Sequence, residues 1–213
     1  MNKNEKFVIT INRELGSGGR TVGKKLAEKL GVSFYDKALI KALEEKYNLT
    51  AEEIENLKGR NHSWWAEFAR GFVLAEKSKI MTYDEISLLD APDMLTTDEM
   101  FDMEKKILTD IAAEESCIIA GRSGFSVFRN HPNHLSILIQ APMEHRIERV
   151  MRKQLLNREN AEKVIKKVDK MRENYVNKYA KTSRYDTRNY DLVISMADHT
   201  EDEAVDLIMR YIK

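Results

Sequence analysis

The amino-acid sequence predicts an α/β fold in which helices and a five-stranded parallel sheet form three layers. Five short β-rich runs alternate with helical stretches along the chain. The first two runs enclose one helical stretch within about thirty residues, the size of a right-handed βαβ unit. Hydrophobic residues make up 42% and charged residues 33% of the 213 residues, which is typical of a globular domain with a substantial core.

Hydrophobic periodicity and helix breakers place the elements in order. The strands are predicted at residues 7–11, 32–35, 117–120, 135–139 and 191–194. After the first strand, apolar residues recur at helical spacing from Val22 to Leu30, and Gly31 ends that helix. Amphipathic helices are predicted at residues 97–115 and 201–212.

Composition and charge limit the kinds of partner that the chain is expected to have. We expect one domain, residues 1–213, with a largely helical insertion at residues 37–115. The 35 basic residues cancel the 35 acidic ones, so the total charge gives no support to general nucleic-acid binding. No apolar run approaches the roughly 18 residues of a membrane span, and the expected location is the cytoplasm. The single cysteine, Cys117, excludes an internal disulfide, and the oligomeric state stays open.

Positive charge is concentrated in one segment of the second half of the chain. Residues 146–188 contain 14 basic and 6 acidic residues. Arg146, Arg149 and Lys153 in this segment fall on one helical face. The segment is either a solvated helix surface or, near the carboxyl ends of the strands, a clamp for phosphate groups.

A glycine-rich loop joins the first strand to the first helix. Its residues are Gly16, Ser17, Gly18, Gly19, Arg20 and Thr21. Main-chain N–H groups in such a loop, backed by about half a positive charge at the helix N-terminus, form a site for phosphate. A threonine at the helix start can place its hydroxyl on a Mg²⁺ ion held by the β- and γ-phosphates. The full motif is G-x-x-x-x-G-K-[ST], but Arg13 occupies its first glycine position and Gly19 its lysine position. A glycine-rich turn without a ligand is therefore the alternative interpretation.

The loop and its neighbours resemble a known protein family. The stretches TINRELGSGGRTVG (residues 10–23), KLAEKLG (25–31), FYDK (34–37) and IAGR (119–122) are similar to those of the cytidylate kinase-like family, in which a lysine-less loop is usual. The resemblance extends more loosely over nearly the whole chain. It implies the P-loop kinase fold, with ATP and Mg²⁺ as cofactors, an acceptor-binding insertion at residues 37–115 and a basic lid at residues 146–188.

The resemblance also implies roles for individual residues. The loop from Gly16 to Thr21 would hold the phosphates of ATP, with Thr21 on Mg²⁺. Asp36 and Arg122 would bind the acceptor, although a helix cap and a surface ion pair are the alternatives for these two side chains. Ser123 stands where cytidylate kinases have an aspartate after the arginine. That difference leaves recognition of a pyrimidine open.

Phosphoryl transfer requires cations that follow the negative charge as it moves to the bridging oxygen. Because the loop has no lysine, we hypothesise that Arg13 or Arg20 supplies this charge. By resemblance, Arg149 and Arg172 are the catalytic arginines of the lid, and Asp169 with Arg172 forms the D-x-x-R part of its later arm. The sequence thus predicts Mg²⁺-dependent transfer from ATP to a small nucleotide such as CMP or dCMP. The alternatives are a non-catalytic nucleotide-binding module, which the missing lysine suggests, and a kinase for a non-nucleotide acceptor.

Overall fold

The computed structural model describes residues 1–36 and 98–212. The chain divides into two units, one formed by Met1–Phe34 with Glu115–Lys213 and the other by Tyr35–Glu114. Most of the predicted insertion, residues 37–115, lies outside the described residues, so its acceptor-binding role and the single-domain organisation stay predictions. No helix in the described part of the chain is long and apolar enough to cross a membrane.

Strands and helices alternate along the described chain as the sequence predicts. Their order is β1 (Val8–Arg13), α1 (Gly19–Leu30), β2 (Ser33–Tyr35), α2 (Asp98–Glu114), β3 (Cys117–Ala120), α3 (Gly124–Val127), β4 (His134–Gln140), α4 (Met143–Gln154), α5 (Arg158–Ala180), β5 (Leu192–Ser195) and α6 (Glu201–Tyr211). A single 3₁₀ turn, Thr187–Asn189, precedes β5.

The five strands form one parallel sheet in the order β2-β3-β1-β4-β5. The central strand β1 pairs with β3 and β4, so that Ile9 lies opposite Ile118 on one side and Leu135 on the other. The predicted α/β fold class is confirmed. Since the strands are parallel, the segments that follow β1, β3 and β4 all start at the same edge of the sheet.

The core of the first unit lies between the sheet and the pair α1 and α6. Ile9, Ile137, Leu26 and Ile208 are fully buried in one hydrophobic cluster. Their burial holds the N-terminus of α1 at the carboxyl edge of the sheet, which is where the glycine-rich loop must lie.

The basic segment forms a helical hairpin. After α4, Leu155 takes a left-handed conformation (φ 53°) and is 92% exposed. Asn157 then caps α5, its side-chain oxygen accepting a hydrogen bond of 2.9 Å from the main-chain N of Asn160. Because α4 directly follows β4, its arginines begin at the carboxyl edge of the sheet.

Candidate phosphate-binding site

The glycine-rich loop is a tight turn between the end of β1 and the start of α1. Gly16 has φ 82°, and a Cβ atom added to it would lie 2.8 Å from the carbonyl oxygen of Arg146, so only glycine fits there without movement. Gly18 is the N-cap of α1 (φ 86°), and its carbonyl accepts the first helical hydrogen bond, 3.0 Å from the N of Val22. The N–H groups of the first helical turn have no intrahelical acceptor and are suited to bind an anion.

The side chain of Ser17 forms hydrogen bonds with main-chain groups of this turn. Its hydroxyl donates to the carbonyl of Glu14 at 3.0 Å and accepts from the N of Gly19 at 3.4 Å. The side chain is almost fully buried. Ser17 therefore shapes the predicted phosphate loop through its side chain, whereas the hydroxyl of Thr21 belongs to the first turn of α1.

Arg13 lies along the carboxyl edge of the sheet. A Cβ atom on Gly19 would be only 2.6 Å from the Cβ of Arg13, and one on Gly121 would be 2.5 Å from its Nη1. The side chain thus runs from the start of α1 to the end of β3. Arg20, the other candidate for the missing cation, is the second residue of α1 and is half-buried.

Arg149 reaches the mouth of the loop from α4. Its Nη2 donates to the hydroxyl of Thr21 at 3.3 Å, and its Nη1 lies 2.6 Å from a carboxylate oxygen of Glu201. A Cβ atom on Gly18 would be 3.5 Å from the Cζ of Arg149. Partial burial alone would raise the pKa of Glu201, but a main-chain N–H and Arg149 together hold it below its usual value. The sequence pattern did not indicate Glu201, which is simply the first residue of α6.

Two arginines hold the main chain at the beginning of the loop. The carbonyl of Arg13 accepts a hydrogen bond of 3.2 Å from Nη1 of Arg172 and a second one from Nη2 of Arg184. Arg184 is fully buried. Arg172, predicted as a lid arginine, thus contacts the loop backbone, and Arg184 was not singled out from the sequence.

Asp169 holds the next part of the loop. One of its carboxylate oxygens accepts from the main-chain N of Leu15 at 3.0 Å, and the other accepts from Nη1 of Arg146 at 2.7 Å. The same Nη1 lies 3.1 Å from the carboxylate of Glu14, whose second oxygen accepts from the N of Ala141. The loop is therefore fastened to α4 and α5 by buried charged groups.

Comparison with known proteins agrees with this fold. The model of the cytidylate kinase-like family matches residues 8–198. The chain belongs to the cytidylate kinase-like family. An uncharacterized protein from Eubacterium ventriosum ATCC 27560 is 26% identical, with a TM-score of 0.68 over 97% of this chain and 98% of the other.

Two more distant structures share the fold of this family member. The protein TT1252 from Thermus thermophilus is 17% identical and has a TM-score of 0.50 over 98% of this chain and 99% of its own. A gluconokinase from Sinorhizobium meliloti 1021 is 13% identical and has a TM-score of 0.50 over 94% of this chain and 88% of its own. No curated protein matched the sequence. The chain has the P-loop kinase fold, and family and fold together support a phosphotransferase.

The second predicted contact region of this cytidylate kinase-like protein follows β3. Arg122 and Ser123 are consecutive non-glycine residues with positive φ, 54° and 52°, a strained arrangement that is concentrated at ligand-binding sites. Gly121 and Arg122 are the first two residues after β3. The Cζ of Arg122 lies over the ring of Tyr175, 4.6 Å from the ring centroid. Asp36, in the other unit, directly follows β2 and is buried.

The loop also offers an oxygen for a metal ion. In residues 1–36 and 98–212, no three His, Cys, Asp or Glu side chains lie close enough together to hold a metal. The hydroxyl of Thr21, at the third position of α1, is suited to a Mg²⁺ ion that is bound mainly by the phosphates of a nucleotide.

Proposed function

We propose that this cytidylate kinase-like protein transfers the γ-phosphoryl group of ATP to a small acceptor, with CMP and dCMP as the first candidates. One observation carries the proposal. The Cβ of Arg13 fills the space in which any side chain at Gly19, the lysine position of the motif, would have to begin. An arginine at position 13 and a lysine at position 19 therefore exclude one another, and Arg13 replaces the lysine.

The position of Arg13 suits this role. Its guanidinium reaches Gly121 at the end of β3, and Gly121 is followed by Arg122, the proposed contact for the acceptor phosphate. The cation thus lies between the loop that would hold the donor and the segment that would hold the acceptor. There it can stabilise the charge that develops on the transferred group.

The other loop residues have complementary roles in the proposed mechanism. The main-chain N–H groups from Gly16 to Thr21 bind the phosphates of ATP. Mg²⁺, when bound with ATP near the hydroxyl of Thr21, supplies neutralising charge. Arg149, which lies over Gly18, can exchange its carboxylate partner Glu201 for a phosphate oxygen.

The residues near the end of β3 bear on the identity of the acceptor. Asp36 and Arg122 are the proposed acceptor contacts. The buried hydroxyl of Ser123 has no hydrogen-bond partner within residues 1–36 and 98–212, and it stands where an aspartate of cytidylate kinases would be. This substitution favours a second candidate function, a kinase whose acceptor is a small molecule other than a nucleotide.

Release of ADP over a panel of nucleotide and non-nucleotide acceptors, with and without Mg²⁺, tests the proposal. Transfer confined to CMP and dCMP supports the leading candidate, and transfer to a non-nucleotide acceptor supports the second. Binding of ATP without transfer to any acceptor would mean that the protein is a non-catalytic nucleotide-binding module.

Two substitutions test the replacement of the lysine. We expect Arg13→Ala to lower kcat by about 10²–10³-fold, the usual cost of removing one transition-state donor, and Arg20→Ala to lower it much less. Arg210→Ala, on the exposed side of α6, is the matched control. The double variant Arg13→Gly with Gly19→Lys restores two positions of the full motif and should recover part of the activity lost in Arg13→Gly. Equal turnover in the wild type and the Arg13 variants contradicts the assignment.

A further inference from the structure

An anchoring cluster, which consists of Arg146, Asp169, Arg172 and Arg184, holds the main chain that leads into the glycine-rich loop. Three successive positions at the start of the loop have a partner on the α4–α5 hairpin or the segment that follows it. The carbonyl of Arg13 accepts from Arg172 and Arg184, the carboxylate of Glu14 pairs with Arg146, and the N–H of Leu15 donates to Asp169. These contacts hold the main chain directly before Gly16, the first glycine of the loop.

Asp169 is at the centre of these contacts. Its two oxygens accept from Leu15 and Arg146, and guanidinium nitrogens of Arg172 and Arg184 lie 3.7 Å and 3.6 Å from it. Asp169 is 7% exposed, so water contributes little to its solvation. One carboxylate thus links the loop backbone to three arginines.

This arrangement is poorly explained as a source of stability alone. The guanidinium groups of Arg146, Arg172 and Arg184 all lie within 4 Å of the buried carboxylate of Asp169. Among the described residues, Nε and Nη1 of the fully buried Arg184 have no hydrogen-bond partner. Burying charges costs desolvation energy that the pairing often fails to recover. Buried charged groups that hold the main chain just before a phosphate loop are better explained by function.

We infer that Asp169 is a positioning residue, which fixes the loop backbone in the shape that binds polyphosphate. The segment from Asp169 to Arg172 on α5 then belongs to the support of the loop and not to a moving lid. The inference deepens the proposed function and rests on it for the identity of the ligand. If Asp169 is removed, this inference predicts weaker binding of an anion, whereas a purely electrostatic effect predicts tighter binding.

The variant Asp169→Asn shows in which direction the affinity for ATP changes. An asparagine has a single acceptor oxygen, so it cannot accept from both the N–H of Leu15 and Nη1 of Arg146, and one of the two contacts becomes donor against donor. If Asp169 only added negative charge near the site, its removal would tighten the binding of an anion. If it positions the loop, the displaced backbone should raise the Kd for ATP by about tenfold to a hundredfold, the loss of affinity found at metal sites when a residue that orients a ligand group is replaced.

The experiment measures the Kd for ATP and for inorganic tripolyphosphate by calorimetry, together with Tm and kcat. The matched control is Asp206→Asn, which removes an exposed carboxylate that pairs with Lys29 on the surface. We expect both Kd values to rise in Asp169→Asn and to stay unchanged in the control. Unchanged or tighter binding in Asp169→Asn, even with a lower Tm, overturns the inference.

Two further measurements keep the inference testable if Asp169→Asn fails to fold. Arg184→Lys keeps the charge but loses the fork that reaches the carbonyl of Arg13, and it should weaken tripolyphosphate binding, while Arg210→Lys should not. In the wild type, hydrogen exchange at the N–H of Leu15 should be slow, and fast exchange there contradicts the anchoring. Because these readouts require binding but not turnover, a protein that binds ATP without transferring phosphate refutes the proposed function alone. A wild type that binds neither ATP nor tripolyphosphate refutes both.

Discussion

Gly16→Ala should be the most destabilising glycine substitution in the phosphate loop, and its cost can be worked from the structure. At φ 82° an alanine is in the left-handed region, which costs an L residue roughly 1–2 kcal/mol. The new Cβ would also lie 2.8 Å from the carbonyl oxygen of Arg146 and 3.0 Å from its Cβ. Relieving such an overlap typically costs about 1–3 kcal/mol. The total loss in the free energy of unfolding is therefore about 2–5 kcal/mol.

The chain contains a control that separates these two contributions. Gly31, the C-cap of α1, has φ 67° but nothing within 4 Å of an added Cβ. Gly31→Ala should lose only the roughly 1–2 kcal/mol of the left-handed conformation. Urea unfolding with a shared m-value measures both losses. Equal losses in Gly16→Ala and Gly31→Ala would refute the argument that the loop is closely packed against Arg146.

Three other predictions concern groups around the sheet and the mouth of the loop. Burial lowers the pKa of His134 to about 4. The unfolded chain therefore binds an extra proton between pH 6.5 and 4. As the pH falls through this range, the free energy of unfolding should fall by up to about 1.4 kcal/mol per pH unit. Burial raises the pKa of Tyr190 to about 12, so the folded state keeps its phenol proton and stability should fall as the pH rises from 10 to 12. Glu201→Gln releases Arg149 from a partly exposed ion pair and should tighten ATP binding by about twofold to fivefold.

Each of these predictions has a matched comparison. His134→Gln should make the acid limb of the unfolding curve less steep, and an equally steep curve contradicts the assignment to His134. Tyr190→Phe should do the same for the alkaline limb, and absorbance at 295 nm follows the ionisation directly. Asp202→Asn removes a neighbouring carboxylate that pairs with Lys25 on the surface and should leave ATP binding unchanged. An equal gain in both variants would mean that only total charge matters.

Local patterns were sufficient to predict most of the helices and strands in residues 1–36 and 98–212. The helix expected at residues 97–115 is observed as Asp98–Glu114, and the last helix, expected at 201–212, as Glu201–Tyr211. In both, apolar residues repeat with the helical period, and Thr200 with Glu203 forms a capping box that marks where the last helix begins. The turn between α4 and α5 was not predicted, because Leu155 takes a left-handed conformation without glycine or proline to indicate it.

The candidate site shows where local patterns are insufficient. The loop could be found because its residues are contiguous. The contacts that hold it could not be predicted, since Asp169 is 154 residues from Leu15 in sequence and Arg184 is 171 residues from Arg13. Resemblance singled out Asp169 and Arg172 as lid residues, and not as partners of the loop. The basic segment contains 14 lysines and arginines, and no local signal distinguishes a buried arginine from those that remain in water. Only the packing of α4 and α5 against the sheet selects them.

Arg13 links the anchoring cluster to the proposed cation of the site. Its carbonyl is held by Arg172 and Arg184, whereas its side chain extends past Gly19 to Gly121 at the end of β3. A shift of the main chain at this residue therefore moves the guanidinium as well as the loop. In a motif with lysine, the cation is attached to the first turn of the helix and not to the strand. In the proposed function the cation is attached to the strand end, so a shift of that end would misplace it, and the cluster that holds the carbonyl of Arg13 is the kind of support that such a cation requires.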